Sequence, residues 1–245
     1  MLKKGYKLRW KLIKEIAKDL RYLLARDYHK ESAINFLANR WQLSDLEREV
    51  LRRGVFTPYE ARVRLLKKKE ESYIRGRALY VDGFNVLTTI RSAIAGLPVF
   101  LADDGFLRDL GKLTPKFKAD EISEKALLLL IKKLKKLNLE KIIIYLDKPL
   151  SKSGELAARL RQLFEEEAIS GEVFLVPSAD KALLGMPLLA TSDAALLDRC
   201  EAAFDLAASV LQEVGYEGPE LTGYHFSQLE NGEIKRDNDP ANYSP

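Results

Sequence analysis

The sequence predicts an α/β protein, in which a mostly parallel sheet is flanked by helices and preceded by a small basic all-α domain. From residue 78 onward, short apolar runs alternate with amphipathic helical patterns, which is typical of a mostly parallel sheet covered on both faces. Before residue 78 the apolar residues recur only at helical spacing. The 245 residues suffice for one large domain or two modest ones.

Charge is distributed unevenly along the chain. Residues 1–77 carry 21 Lys and Arg against 10 Asp and Glu, a net charge of +11, whereas residues 78–245 carry 19 against 26, a net charge of −7. A basic surface favours phosphate-rich partners through counterion release. Clustered carboxylates in an acidic segment instead favour a bound metal ion. Both segments could then serve one substrate, which the first would hold and the second would cut.

The basic segment is predicted to be four helices, over residues 7–26, 30–40, 44–53 and 58–72. In the first of them, cations spaced three and four residues apart share one face. This basic stripe consists of Lys7, Lys11, Lys14, Lys18 and Arg21. We interpret the stripe as the nucleic-acid-binding surface of an all-α domain, residues 1–77. A solvated lysine-rich face is the alternative.

The second segment is predicted to be an α/β domain, residues 78–225. Strands are expected over residues 78–81, 99–102, 142–146, 173–176 and 187–190, and helices over 121–137, 153–168 and 195–214. The remaining residues, 226–245, are expected to form a hairpin at Asn231-Gly232 and a loose tail, because Asn-Gly favours a two-residue hairpin turn.

An aspartate follows four of the predicted strands. These residues are Asp82, Asp147, Asp180 and Asp193. Ligands of open parallel sheets bind beyond the carboxyl ends of the strands, and several carboxylates there require raised pKa values or a cation. Oxygen ligands with water suit Mg²⁺ or Mn²⁺, which activate water for attack on a phosphodiester. The alternative is that each aspartate only caps the helix that follows it.

Several function classes are disfavoured by what the sequence lacks. It has neither a G-x-x-x-x-G-K-[ST] phosphate loop nor a G-x-G-x-x-G dinucleotide motif. One cysteine, Cys200, and two distant histidines, His29 and His225, disfavour a zinc site. No apolar run reaches the length of a membrane span, and the first residues do not resemble a secretory signal. We therefore expect a soluble, cytoplasmic protein without a membrane partner.

The loop over residues 148–154 is a second candidate for contact with the substrate. It lies between a predicted strand and a predicted helix, and it carries Lys148, Ser151 and Ser153. Backbone N–H groups at a helix N-terminus, together with hydroxyl and ammonium groups, can bind a phosphate. A plain helix N-cap by Ser153 is the alternative.

Four short motifs lie at or just after the ends of predicted strands. They are Val81-Asp82-Gly83-Phe84-Asn85-Val86, Ile143-Ile144-Tyr145-Leu146-Asp147, Ser178-Ala179-Asp180-Lys181 and Leu189-Ala190-Thr191-Ser192-Asp193. Together they resemble the strand-end motifs of the NYN branch of the PIN-like nuclease superfamily. The resemblance covers about residues 78–200, and the chain as a whole is similar to a prokaryotic family that pairs a helical domain with a PIN-like one.

This resemblance implies a PIN-like fold and a metal-dependent endonuclease that acts on RNA more readily than on DNA. It implies that Asp82, Asp180 and Asp193 are metal ligands and that Asn85 positions the site. The acid at the second position stays open.

The candidates for that position are Asp103, Asp104, Asp109 and Asp147; our leading set takes Asp147, with Asp104 as an additional acid. Asn85 and Ser192 are expected to orient water and side chains.

Two other functions remain open on the sequence alone. The chain could be a catalytically silent PIN-like module that binds RNA or a protein partner, or a phosphatase-type hydrolase. The second is disfavoured because no D-x-D motif follows the first strand. No pattern requires a homodimer, and the exposed helices leave one open.

Overall fold

A computed structural model of the protein describes residues 8–111, 120–150 and 152–221. It confirms the α/β class: a five-stranded parallel sheet is flanked by helices and preceded by a helical region. Lys7, Ser151 and the predicted hairpin and tail at residues 226–245 lie outside the described residues. No helix in the described ranges is long and apolar enough to cross a bilayer.

The N-terminal region is helical, as the spacing of its apolar residues predicts. Its helices are α1 (Trp10–Leu24), α2 (Lys30–Trp41), α3 (Asp45–Gly54), α4 (Pro58–Lys67) and α5 (Glu71–Ile74). Capping boxes begin two of them: Ser44 pairs with Glu47 at the start of α3, and Thr57 pairs with Glu60 at the start of α4. Each box satisfies backbone N–H groups of the first turn, which fixes where the helix begins.

The parallel sheet has the strand order β5-β4-β1-β6-β7, and all of its strand pairs are parallel. Its strands are β1 (Ala78–Asp82), β4 (Lys141–Asp147), β5 (Gly171–Val176), β6 (Leu188–Ala190) and β7 (Ala202–Phe204). A separate antiparallel pair joins β2 (Val99–Leu101) to β3 (Leu107–Asp109). Because β1 is the central strand, its last residue, Asp82, lies in the middle of the edge formed by the carboxyl ends of the strands.

The two faces of the sheet are covered unequally. The remaining helices are α6 (Gly83–Ile94), α7 (Glu121–Lys136), α8 (Ser153–Glu166), α9 (Ala179–Leu183), α10 (Ala194–Arg199) and α11 (Leu206–Glu213). The large core lies between one face and α6, α7, α8 and α11. The other face carries a smaller cluster, in which Leu183 of α9 and Leu197 of α10 pack on Leu189 and Ala203.

Two sequence predictions about the elements are wrong, and a third is only partly informative. The helix predicted over residues 195–214 is interrupted by β7, because Ala202, Ala203 and Phe204 pair with β6. The helix predicted over 58–72 ends at Lys67, since the backbone N–H of Lys69 donates to the carbonyl of Ala203 (2.8 Å). The strand predicted at 99–102 exists as β2 but lies outside the parallel sheet. Helix α6 was not predicted.

Buried ion pairs connect the helical region to the α/β part. The guanidinium of Arg21 on α1 donates to both carboxylate oxygens of Asp103 (2.9 and 2.6 Å). The next residue, Asp104, is fully buried, accepts two hydrogen bonds from Arg108 (2.6 and 2.7 Å) and lies 3.5 Å from Arg64 of α4. The core of the helical region also continues into β2 through Phe100.

We expect Asp104→Asn to lower the free energy of unfolding by about 3–5 kcal/mol, because it leaves the Arg108 guanidinium buried without its carboxylate partner. Urea unfolding at neutral pH measures the change. The matched control is Glu15→Gln, which removes an exposed pair with Lys18 (3.1 Å) and should cost no more than about 0.5 kcal/mol. Equal losses in the two variants would contradict a structural role for the buried pair.

Candidate active site

An aspartate lies at or just beyond the carboxyl end of every strand in the parallel sheet. Asp82 and Asp147 are the last residues of β1 and β4, and Asp180 lies in the first turn of α9, after β5. Asp193 and Asp205 are the N-caps of α10 and α11, after β6 and β7. The strand order therefore places the acids across the edge in the order Asp180, Asp147, Asp82, Asp193, Asp205.

Asp82 is the buried centre of this row, with 6% of its surface exposed. Its Oδ1 accepts from the backbone N–H of Asn85 (3.2 Å), and its Oδ2 accepts from the hydroxyl of Thr191 (3.2 Å). Both donors are neutral. Burial raises the pKa of Asp82 to about 7, with further repulsion from Asp180 and Asp193, although the two hydrogen bonds oppose the rise.

The carboxyl of Asp180, at the outer end of the row, is also repelled by other acids of the row. Partial burial, followed by repulsion from Asp193 and from Asp147, raises the pKa of the Asp180 carboxyl. The structure thus brings together the four aspartates that the sequence predicted at the strand ends. The fifth is different, because Asp205 accepts from the backbone N–H of Leu107 (2.8 Å) and pairs with Lys68 (3.5 Å).

The turn after β6, residues 191–193, is attached to both Asp82 and Asn85. Thr191 donates its hydroxyl to Asp82 and accepts from the backbone N–H of Asp193 (3.1 Å). The side-chain oxygen of Asn85 accepts from the backbone N–H (2.9 Å) and the hydroxyl (3.1 Å) of Ser192. Asp193 caps α10 with its Oδ1 and also repels Asp82. Capping and membership of the acidic cluster are therefore compatible here.

The side chain of Arg108 also holds this turn, and this residue was not predicted from the sequence. Its Nε donates to the backbone carbonyl of Ser192 (2.9 Å), while its two terminal nitrogens donate to Asp104. The contact joins residues 84 positions apart in the chain, so no local pattern indicated it. Thr191 was not predicted either, although the sequence contains a signal for it. A threonine two residues before an aspartate, after a strand, can form this type of hydroxyl-bonded turn.

The structure contradicts the prediction of Asp104 as an additional metal-binding acid. Burial opposes its ionisation, but Arg108 and Arg64 outweigh that effect and hold the pKa of Asp104 below its ordinary value. Asp103 is likewise paired with Arg21. The other competitor, Asp109, lies 3.4 Å from Arg53.

Of the candidates for the second acid, only Asp147 lies in the row at the sheet edge. Its Oδ1 accepts from the backbone N–H of Ala179 (2.8 Å), the first residue of α9. This hydrogen bond fixes the start of the helix that carries Asp180.

The basic stripe is only partly exposed. Lys11, Lys14 and Lys18 are exposed on α1, and Lys18 pairs with Glu15. Arg21 was predicted to belong to the same nucleic-acid surface, and this is wrong, because it is buried against Asp103 (7% exposed).

The prediction that the loop over residues 148–154 contacts a phosphate is wrong at one position. Ser153 is buried as the first residue of α8, and its hydroxyl donates to the backbone carbonyl of Lys148 (3.0 Å). It therefore neither faces a substrate nor caps the helix, whose N-cap is Lys152. Lys148 is exposed directly after Asp147 and stays a candidate for contact with phosphate.

The donor set at this edge consists of carboxylate, hydroxyl and amide oxygens. In the described part of the chain, no three His, Cys, Asp or Glu side chains are arranged to hold one metal ion together. Oxygen donors are the ligands that Mg²⁺ and Mn²⁺ prefer, and Mg²⁺ typically uses one or two carboxylates and keeps several waters.

Comparisons with known proteins agree on the two parts of the chain. Residues 71–209 match a family model described as domain of unknown function DUF5616, and residues 12–67 match one described as protein of unknown function DUF434. The uncharacterized protein MJ0935 of Methanocaldococcus jannaschii is 36% identical over 202 residues, which cover 82% of this chain and 97% of that protein. No solved structure matches the chain.

We expect the contribution of Asp82 to the free energy of unfolding to fall as the pH rises from about 4 to about 7. The pKa of Asp82 is about 7 in the folded state against an ordinary value of 3.8, so the folded state binds the additional proton over this interval. Asp82→Asn should therefore raise the free energy of unfolding by about 2–4 kcal/mol at pH 8 and flatten the pH dependence.

Urea unfolding at a series of pH values measures both effects. Asp205→Asn is the matched control, because Asp205 also follows a strand and caps a helix but is paired with Lys68. An unchanged pH dependence in Asp82→Asn would contradict the raised pKa.

Proposed function

The chain belongs to the family described as domain of unknown function DUF5616, and we propose that it is a Mg²⁺- or Mn²⁺-dependent endonuclease that hydrolyses phosphodiester bonds. One observation carries the proposal: Asp82 is buried at the end of the central strand, and Asp180 and Asp193 repel its charge. A divalent cation would remove that repulsion. Acids tuned in this way are concentrated at functional sites.

The residues that would hold the cation are Asp82 together with Asp180 or Asp193, and Asp147 lies in the same row. When bound, such an ion lowers the pKa of a water molecule and stabilises the charge that develops on a phosphodiester. The neighbouring groups of the chain position these acids: Asn85 and Arg108 hold the turn that carries Asp193, and Asp147 holds the start of α9. These supporting contacts matter because metal sites lose affinity when their ligands are misoriented.

The proposed substrate is a nucleic acid, RNA before DNA. Lys148 and Lys181 directly follow Asp147 and Asp180 and are exposed, so they can contact the phosphates of a strand that reaches the acids. The resemblance of the strand-end motifs to PIN-like nucleases supports the same reaction. Lys11, Lys14 and Lys18 on α1 are the proposed further contacts with the nucleic acid, and a cytoplasmic location stays a prediction.

The second candidate is a catalytically silent module of the same fold that binds RNA or a protein partner. It is favoured by the finding that no three acidic or other metal-ligating side chains among the described residues are arranged around one ion. The two candidates differ in what a divalent cation does. In the nuclease the cation binds at Asp82 and permits cleavage, whereas in the silent module RNA binding is independent of it.

We expect cleavage of labelled RNA that requires Mg²⁺ or Mn²⁺ and is abolished by EDTA. The panel should contain single-stranded RNA, structured RNA and DNA. Asp82→Asn and Asp193→Asn should each lower the rate by at least about 100-fold, because side chains that bind the ion directly matter at least as much as those that orient them. Asparagine still caps α10, so the second variant should stay folded.

Asp205→Asn is the control and should cleave like the wild type. RNA binding without cleavage of any substrate would favour the silent module. Cleavage that survives both site substitutions would exclude Asp82 and Asp193 from the reaction.

A further inference from the structure

A row of side chains runs from Asp82 outward across the sheet. In the strand register, Asp82 of β1 is the partner of Tyr145 on β4, and Tyr145 is the partner of Phe174 on β5. Partnered residues of parallel strands point to the same face. The opposite face is the one covered by α6, α7, α8 and α11, since Val81, Ile144 and Val173 belong to that core. The row therefore lies on the face that only short helices cover.

The two rings of this row form a small aromatic surface, which we name the Tyr145–Phe174 platform. Their centroids are 5.7 Å apart and their planes meet at 24°, so they are stacked. Phe174 is 40% exposed and lies on the edge strand β5, whereas Tyr145 is half-buried. An exposed aromatic ring on an edge strand favours the binding of another molecule. The next question is which kind of molecule binds there.

The surroundings of the platform favour a nucleic acid as the occupant. Its inner end is directly beside Asp82, at the centre of the candidate active site. Exposed Lys148 and Lys181 lie beside the acids at the same sheet edge and provide charge for a phosphate backbone. Aromatic rings next to basic groups are the usual means by which proteins bind unpaired bases.

We propose that the Tyr145–Phe174 platform stacks an unpaired base of the nucleic acid whose backbone reaches the acids around Asp82. The substrate is then a single-stranded segment, because the faces of bases in a duplex are stacked on their neighbours and cannot reach a ring on a sheet. The inference rests on the proposed function for the identity of the neighbouring site. The stacking contact itself requires no divalent cation, so the two can be tested separately.

The test is binding of fluorescein-labelled single-stranded RNA of mixed sequence, measured by anisotropy in EDTA. Phe174→Leu removes the aromatic face and should weaken binding about 5- to 20-fold. Phe174→Trp keeps a stacking face and should bind at least as well as the wild type. The control is Phe36→Leu, which changes an exposed phenylalanine on α2 (63% exposed) and should have no effect.

A strand of the same length built from abasic residues distinguishes stacking from a general effect on the protein. The wild type should bind this strand about as weakly as Phe174→Leu binds the normal RNA, and Phe174→Leu should lose little further affinity for it. Duplex RNA should likewise be insensitive to Phe174→Leu. Equal loss of affinity for the normal and abasic strands would overturn the proposal.

The remaining outcomes separate the platform from the nuclease. If Phe174→Leu binds single-stranded RNA as tightly as the wild type does, the platform does not stack bases. If light scattering shows a dimer that Phe174→Leu dissociates while RNA binding is unchanged, the occupant is a second copy of the chain and the proposal is overturned. Base-dependent binding without cleavage of any substrate in Mn²⁺ would support the platform and contradict the nuclease.

Discussion

The burial of the Asp82 carboxylate at the end of the central strand is the constraint on which the candidate site depends. The hydrogen bonds to this group come from the backbone N–H of Asn85 and the hydroxyl of Thr191, and both donors are neutral. A buried charge with neutral donors and two acidic neighbours is costly, and its pKa of about 7 reflects that cost. A divalent cation would stabilise the ionised form of this carboxyl. Keeping such a group buried lowers the stability of the protein without the ion, which is a cost that functional sites often carry.

The groups around this carboxylate are held in place by ion pairs that include residues of the helical region. Arg108 contacts the carbonyl of Ser192 and is itself fixed by Asp104, which also lies near Arg64 of the helical region. The adjacent pair of Arg21 and Asp103 attaches α1 to the same segment. Buried ion pairs contribute little net stability compared with apolar packing, and these pairs hold the segment from Asp103 to Arg108 against α1 and α4. The helical region and the acidic edge are therefore parts of one contiguous set of contacts.

Local sequence patterns predicted the class of the fold and the row of acids, because both follow from short-range chemistry. Continuous apolar strands indicated a parallel sheet, and an aspartate after a strand can be recognised without knowing its neighbours. Contacts between distant residues were not predictable in this way. The spacing of Arg21 matched an exposed lysine stripe, yet the residue is buried because Asp103, 82 positions away, meets it. Strand β7 has only three residues of Ala and Phe, which also suit a helix, and only its pairing with β6 shows that it is a strand.

The central claim is that a divalent cation binds among the aspartates at the carboxyl edge of the sheet. The most direct measurement is a crystal structure of the full chain grown or soaked in Mn²⁺, with an anomalous difference map collected near the manganese absorption edge. Our account predicts a peak beside the carboxylate of Asp82, with Asp180 or Asp193 and water completing the coordination, and loss of that peak in Asp82→Asn. A map without a peak at this edge, or with manganese bound only elsewhere, would contradict it.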